Sequence, residues 1–214
     1  MPKISSWMPR AFVASLTVLS VFASIPGLTS AAWAQQPPPV RIRGTIESVD
    51  GPMLMIKSRE GTDMKVRMTD NVAVFGVAKT ELSEIKPGSY IGVSAMPEPD
   101  GTQKALAVHI FPESQRGAAE GFRPWDLRAG STMTNATVAE TVGGTDGQNI
   151  LVKYKDGEKK VIVTKDTVIA AVAPGKKEEL VAGTPIIIMA SEKQADSSVV
   201  AKTLYVGRAG PPAM

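Results

Sequence analysis

Residues 57–70, KSREGTDMKVRMTD, return at 153–166 as KYKDGEKKVIVTKD, with Lys57, Gly61 and Asp70 matched by Lys153, Gly157 and Asp166. The correspondence extends in order along the chain. GTIESVD (44–50) resembles ATVAETV (136–142), and LSEIKPGSYIGVSAM (82–96) matches KEELVAGTPIIIMAS (177–191) with Gly88 over Gly183. ALAVHIF (105–111) falls over VAKTLYV (200–206). A repeat of this length limits the chain to an architecture that one supersecondary unit builds twice. One mismatch of phase accompanies it: Met64, Val66 and Met68 fall over Lys160, Ile162 and Thr164, so a bulge is needed to keep the apolar face inward.

Within each half the pattern is that of β-structure. IRGTIE and KVRMT alternate polar and apolar residues, the period of a half-buried strand. VAVFGV, YIGVSAM, VIVT and IIIMA are short β-branched runs, bounded by SREG, KPG, PEPDG and KDG turns. About six strands are expected per half, with one short helical turn at 81–86 and another at 176–181. So many short strands in so few residues leave exposed edges in an open sheet, and closure removes them. The fold class expected is all-β: two tandem small barrels from an internal duplication, OB-like or alternatively SH3-like, spanning 41–111 and 136–206.

The ends and the middle do not belong to the repeat. Lys3 and Arg10 precede an apolar run, AFVASLTVLSVFASIPGL, and Ala32 and Ala34 stand at the small-residue positions of a cleavage site. These are the parts of a secretory signal peptide, expected at 1–34. A proline-rich spacer is expected at 35–40 and a flexible tail at 207–214. Removing 34 residues leaves 180 of 214, and the net charge drops from +3 to +1 because both bases leave without an acid. Cysteine is absent, which excludes disulfides, thiol catalysis and cysteine metal sites. Past the leader, no apolar run reaches the ~18–20 residues of a membrane helix, so the processed chain is expected not to span the membrane.

The segment 112–135, PESQRGAAEGFRPWDLRAGSTMTN, is too long for a hairpin connection and concentrates Arg116, Glu120, Arg123, Trp125 and Asp126. It is expected to act as a structured linker in which Trp125 buries its ring against a barrel, Pro124 sets the approach and Arg–acid pairs hold the loop. A ligand pocket lined by guanidinium groups and an aromatic face is compatible with that role, since junctions are common ligand sites. His109, the sole histidine, shares a strand face with Phe111 if Leu106, Val108 and Ile110 point inward, and is a weaker candidate.

Familiar chemistry is missing. One histidine and no cysteine do not furnish a zinc or copper site, and PEPDG and GGTDGQN read as turns rather than cation loops. No serine lies in a nucleophile motif, and GAAEGFRP lacks the lysine–hydroxyl ending of a phosphate loop. Four of the eleven aromatics lie in the leader and the rest scatter over several strands. With a near-neutral surface, nucleic acid is not expected as a partner. No catalytic residue, metal or cofactor is expected.

RGTIESVDG, LSEIKPGSYIGV, PDGTQKALAVHIFPE, RGAAEGFRPWDL and GSTMTNATV together resemble an exported bacterial family of OB-like β-barrel domains of unknown function, whose members are sometimes labelled metal ABC transporter permeases. The resemblance runs from about 41 to 206, and RGxxEGxRPWD (116–126) is its most specific piece. Members often carry His where Phe122 stands here, which departs from any metal-ligand use of the motif. The resemblance implies export and a barrel, and supplies no activity. The function expected is that of an exported, soluble, non-enzymatic protein, periplasmic or secreted, that binds a small ligand or an envelope protein. A periplasmic accessory in metal handling or transport is the alternative, and an uncharacterised hydrolase a second.

Overall fold

A computed structural model describes residues 40–144, 147–194, 198–208, 210 and 212. The leader expected at 1–34, and all of the spacer except Val40, lie outside the described residues. Twelve strands follow in order: β1 (Val40–Asp50), β2 (Met53–Ser58), β3 (Asp63–Lys79), β4 (Tyr90–Pro97), β5 (Gln103–Ile110), β6 (Gly121–Pro124), β7 (Thr132–Gly144), β8 (Gly147–Tyr154), β9 (Gly157–Thr164), β10 (Val168–Pro174), β11 (Pro185–Lys193) and β12 (Val199–Gly207). Helical structure among the described residues is confined to single 3-10 turns, and two of them, Leu82–Glu84 and Lys177–Glu179, fall within the stretches 81–86 and 176–181 where a helical turn is expected. The chain is all-β, as its alternating pattern requires.

Five strands close into a barrel. β2 pairs antiparallel with β1 and β3, β1 pairs with β11, β11 with β12, and β12 returns parallel to β3 over Val199–Gly207. Every strand in this ring has both edges hydrogen-bonded, which removes the exposed edges an open sheet would carry. Ile46, Leu54, Ile56, Val66, Ile188 and Leu204, each at 1% exposure or less, fill its interior.

The remaining long strands run in the order β5-β4-β7-β8-β9, and β9 meets β5 again at Gln103↔Val161 and Lys104↔Ile162. Ile91, Val93, Val108, Ile150, Val152 and Val161 make up the interior of this set. β10 joins the two groups, antiparallel to β3 through Ala170–Pro174 and parallel to β5 through Val168–Ala171. A third cluster lies along this seam, with Val77, Val172, Ile187 and Tyr205 at its centre and Phe75 and Phe111 packed against it.

Strand pairing therefore crosses the boundary between the sequence halves. The expected tandem arrangement keeps each barrel within 41–111 or 136–206, whereas here β1–β3 take β11 and β12 as partners, and β4 and β5 take β7–β9. The short turns obey the same exchange: Leu180, after the second 3-10 turn, lies in the barrel core, while Ile85, after the first, lies in the other interior. Matching backbone bonds fasten them. The Gly183 N–H donates to the Ile46 carbonyl at 2.8 Å and the Ile46 N–H to Thr184 at 3.0 Å; Gly88 does the same with Val138 at 2.8 Å, and Val138 with Ser89 at 2.8 Å.

Three further details differ from expectation. The first half has five strands rather than six, because KVRMT and VAVFGV are one continuous strand, β3, whose counterpart is divided into β9 and β10. The phase mismatch resolves by one residue: Val66 and Met68 point inward on β3, and Val161 and Val163 on β9. At the start of the tail, Arg208 is pinned, its guanidinium donating to both oxygens of Glu179 at 2.8 and 2.9 Å and to the Pro174 carbonyl at 3.2 Å.

Because each half lacks two or three strands of every ring, fragment 40–111 alone is expected to show no cooperative unfolding, and mixing it with 112–214 is expected to restore it. A fragment that melts cooperatively as a monomer, followed by circular dichroism and sedimentation, would refute the exchange.

Candidate functional site

The segment 112–135 folds back on itself. β6 pairs antiparallel with the start of β7, Gly121↔Asn135 to Pro124↔Thr132, and the turn between them is closed by the Trp125 N–H donating to the Ser131 carbonyl at 2.8 Å. Ser131 locks the turn, its hydroxyl donating to the Arg128 carbonyl at 2.7 Å. Trp125 emerges from this hairpin with 8% of its surface exposed. The extended conformation that a residue before proline prefers carries Arg123 into the hairpin.

Three guanidinium groups surround the indole. Arg41 lies 4.0 Å from the ring centroid, Arg123 5.6 Å and Arg43 6.0 Å, within the range of cation–π attraction. Asp126 does not pair with Arg123. Its carboxylate accepts from Arg41 Nε at 3.0 and 3.1 Å and from Arg43 Nη2 at 2.8 Å. Burial pushes the Asp126 carboxyl up, and the Arg43 and Arg41 hydrogen bonds and charges more than reverse this, holding it below its usual range. Arg123 donates only to the backbone carbonyls of Ala119, at 2.8 Å, and Gly121, at 3.4 Å. Burial, then the neighbouring Arg41 charge, pushes it below the usual arginine range. Ala119 carries a φ of +47°, the one positive φ outside glycine among the described residues.

The other two residues of the segment serve elsewhere. Arg116 donates to Glu113 Oε2 at 2.7 Å and to the Gly88 carbonyl at 2.9 Å, tying the segment to the turn before β4. Glu120 accepts from the Lys155 backbone N–H at 3.0 Å, holding the β8–β9 turn. Phe122 is 40% exposed with the Lys159 ammonium 4.5 Å from its ring centroid.

Behind Trp125 lies a cavity of about 90 Å³, bounded by Phe111, Trp125, Tyr205, Met133, Asn135 and Arg123 among others. Three side-chain atoms buried around it have no hydrogen-bond partner: Trp125 Nε1, Asn135 Oδ1 and Gln115 Oε1. A buried polar group left without a partner costs ~1–3 kcal/mol, and these three belong to residues that line one cavity. Tyr205 stacks on Phe75 with centroids 5.3 Å apart, and its hydroxyl accepts from Gln115 Nε2 at 2.8 Å. Gly92 is required here: a Cβ would meet the Phe111 ring at 2.8 Å and Asn135 Oδ1 at 3.0 Å. A larger concavity of about 350 Å³, edged by Arg67, Asp70 and Val200, holds none of these unpartnered atoms.

Sequence reasoning singled out Arg123, Trp125 and Asp126, which do come together. It missed Arg41 and Arg43, whose spacing of two on β1 puts them on one face, and Asn135, a weak strand former within β7. His109 is fully buried on the same face of β5 as Phe111, opposite Gly92 and Ala170. The strand face it was expected to share with Phe111 lies along the seam. Both ring nitrogens lack partners, and burial pushes its pKa down to about 4. Among the described residues no group of three or more His, Cys, Asp or Glu could hold a metal ion, and no helix is long and apolar enough to cross a membrane. No family model matches the chain, and neither a curated protein nor a solved structure matches it.

Trp125→Ala is expected to cost ~3–5 kcal/mol of stability and to expose 112–135 to protease; a parental melting curve and cleavage pattern would refute the anchoring role. His109 gives a pH dependence. Between about pH 6.5 and 4 the unfolded chain takes up a proton that the folded chain refuses. Its stabilising contribution is therefore complete above 6.5 and declines as pH falls, by about 3 kcal/mol in all. Asp126 and Glu179, with carboxyls held low by their arginines, add to the decline only in more acid solution. Urea unfolding at pH 7 and 4.5 is expected to show the loss, and His109→Leu to flatten it.

Proposed function

We propose that this protein is an exported, non-enzymatic binding protein, periplasmic or secreted, built from one duplicated OB-like β-module whose two copies exchange strands and hold a small ligand where they meet. The observation that carries the reading is the cavity behind Trp125, where aromatic rings meet the half-buried Arg123, which among the described residues makes no ion pair. The matched backbone bonds of Gly88 and Gly183 support a duplication, as does the like placement of the two 3-10 turns. Export draws its support from the charged, apolar and small-residue pattern of 1–34 and from the resemblance to an exported family. A binding rather than catalytic role fits a site whose polar groups are an indole, two amides, a guanidinium and the Tyr205 phenol. None is an ordinary nucleophile or a base near neutral pH.

Metal handling rests on the family label alone. His109, the one imidazole, is enclosed with no carboxylate hydrogen-bonded to it.

The test is native mass spectrometry on protein released gently from the cell envelope. A bound small molecule is expected, lost in Trp125→Phe, which keeps the aromatic ring and removes the N–H. Protein that carries nothing, and that no member of a panel of small polar metabolites stabilises to heat, would sink the binding role.

A further inference from the structure

Two arginines elsewhere in the chain show how a guanidinium is matched here. Arg116 donates from Nε and Nη2 to the two oxygens of Glu113, and Arg208 donates from the same two atoms to the two oxygens of Glu179, at 2.8 and 2.9 Å. This side-on fork fits the geometry of a carboxylate. Arg123 differs. It hydrogen-bonds only through Nη1, to the Ala119 carbonyl at 2.8 Å and the Gly121 carbonyl at 3.4 Å, and among the described residues its Nε and Nη2 have no acceptor. It is also half-buried, whereas Arg116 and Arg208 are exposed.

No carboxylate among the described residues answers this cation. Asp126 is held by Arg41 and Arg43, and Glu120 accepts from the Lys155 backbone N–H. Burial, then the Arg41 charge, disfavours the charged form of Arg123, and only the Tyr90 phenol acts the other way. An anion brought alongside would favour it. The two loop carbonyls hold Nη1, so the fork edge is already positioned for that anion.

The surface beside Arg123 selects the rest of the anion. Phe111 and Met189, both partly exposed, line the same cavity, backed by Trp125 and Tyr205. Such a surface gains from covering carbon and opposes an inorganic ion that must shed its water. Flat rings and a thioether suit an aromatic body. The cavity is open to solvent, with Ala118 and Ala119 of its lining exposed, so the far end of an occupant can project outward.

We infer that the open side of this cavity binds an aromatic carboxylate, the carboxylate forked by Nε and Nη2 of Arg123 and the ring laid over Phe111 and Met189. The inference rests on the reading of the junction as a binding site and narrows it to one chemical class.

The experiment is titration of the full chain with benzoate, benzamide, acetate and inorganic phosphate, read by calorimetry and by the Met189 methyl resonance, assigned by its loss in Met189→Leu. Benzoate is expected to bind and to displace that resonance through its ring current. It is expected to bind about tenfold or more tighter than benzamide, which keeps the ring and lacks the charge. Acetate keeps the charge and lacks the ring, and is expected to bind about tenfold or more weaker than benzoate. Arg123→Gln is expected to weaken benzoate about tenfold or more, and Arg123→Lys, which cannot form the fork, to restore only part of the loss. The benzamide comparison uses the parent protein and stands even if Arg123→Gln fails to fold. Benzamide equal to benzoate, or binding unchanged in Arg123→Gln, overturns the ion pair. Acetate or phosphate equal to benzoate overturns the aromatic body. Benzoate that binds without moving the Met189 methyl sits elsewhere, which overturns the site. If benzoate does not bind, this inference falls, and the mass-spectrometric test decides separately whether the junction binds anything.

Discussion

A backbone N–H or C=O in the interior must find a partner, and in this chain neighbouring strands supply part of them while the opposite half of the sequence closes each ring. β3 displays the constraint most clearly. One of its edges bonds first to β2 and then, past a change of neighbour, to β10, while the other bonds to β12 from Val66 to Val77. A single 17-residue strand thus belongs to the barrel at one end and to the seam at the other. Its continuity accounts for both the exchange and the joining of the two groups. Had β3 broken at Asp70, as its counterpart breaks between β9 and β10, each half would have been freer to close on itself. The unbroken strand carries the chain past its own barrel, so that β4 starts beside β7.

The seam that results is where the unusual side chains collect. β5 and β12 run parallel to β10 and β3 respectively, with His109 on one opposite Gly92 of β4 and Tyr205 on the other opposite Ile187 of β11. Both are large, both carry polar atoms, and neither can lie inside a ring packed with isoleucine and valine. Their place on the outer face of each ring, covered by the other ring's strands, leaves a boundary of uneven shape. Gly92 makes room for the Phe111 ring, and the hairpin of β6 and β7 lays Trp125 over what remains. The cavity is the residue of this uneven packing, and its polar lining is what an aliphatic core would not have tolerated.

Local pattern exposed the strands, the turns and the two 3-10 turns, because alternation and turn chemistry are properties of neighbouring residues. Partnership between strands was not legible. A contiguous barrel and an exchanged one have the same strands, the same inward faces and nearly the same turns. They differ in which of two chemically similar strands, β4 or β11, lies beside β1, and Gly88 and Gly183 equip both for the same contact. The site divides in the same way. Trp125 and its arginines stood out by composition, and the burial of the ring followed from its size. The pairing of Asp126 with Arg41 and Arg43 could not be read, because it spans 83 and 85 residues and depends on where β1 passes the hairpin. His109 was expected to share a face with Phe111, but its full burial could not be read, because β10, from the second half of the sequence, lies beside it.

The charge arrangement around Trp125 then has a structural reason beyond any ligand. A hairpin tip resting on β1 needs a tether that tolerates water, and Asp126, with 46% of its side chain exposed, makes one with two arginines whose side chains are 26% and 11% exposed. One carboxylate suffices for this tether, and cation–π contact with the indole holds Arg41 in place. Arg123 is not needed for it. Among the described residues its hydrogen bonds go to the carbonyls of Ala119 and Gly121, in the loop where Ala119 carries a positive φ. Arg123 is half-buried, and the residue with that φ is the one whose carbonyl accepts from its guanidinium at 2.8 Å.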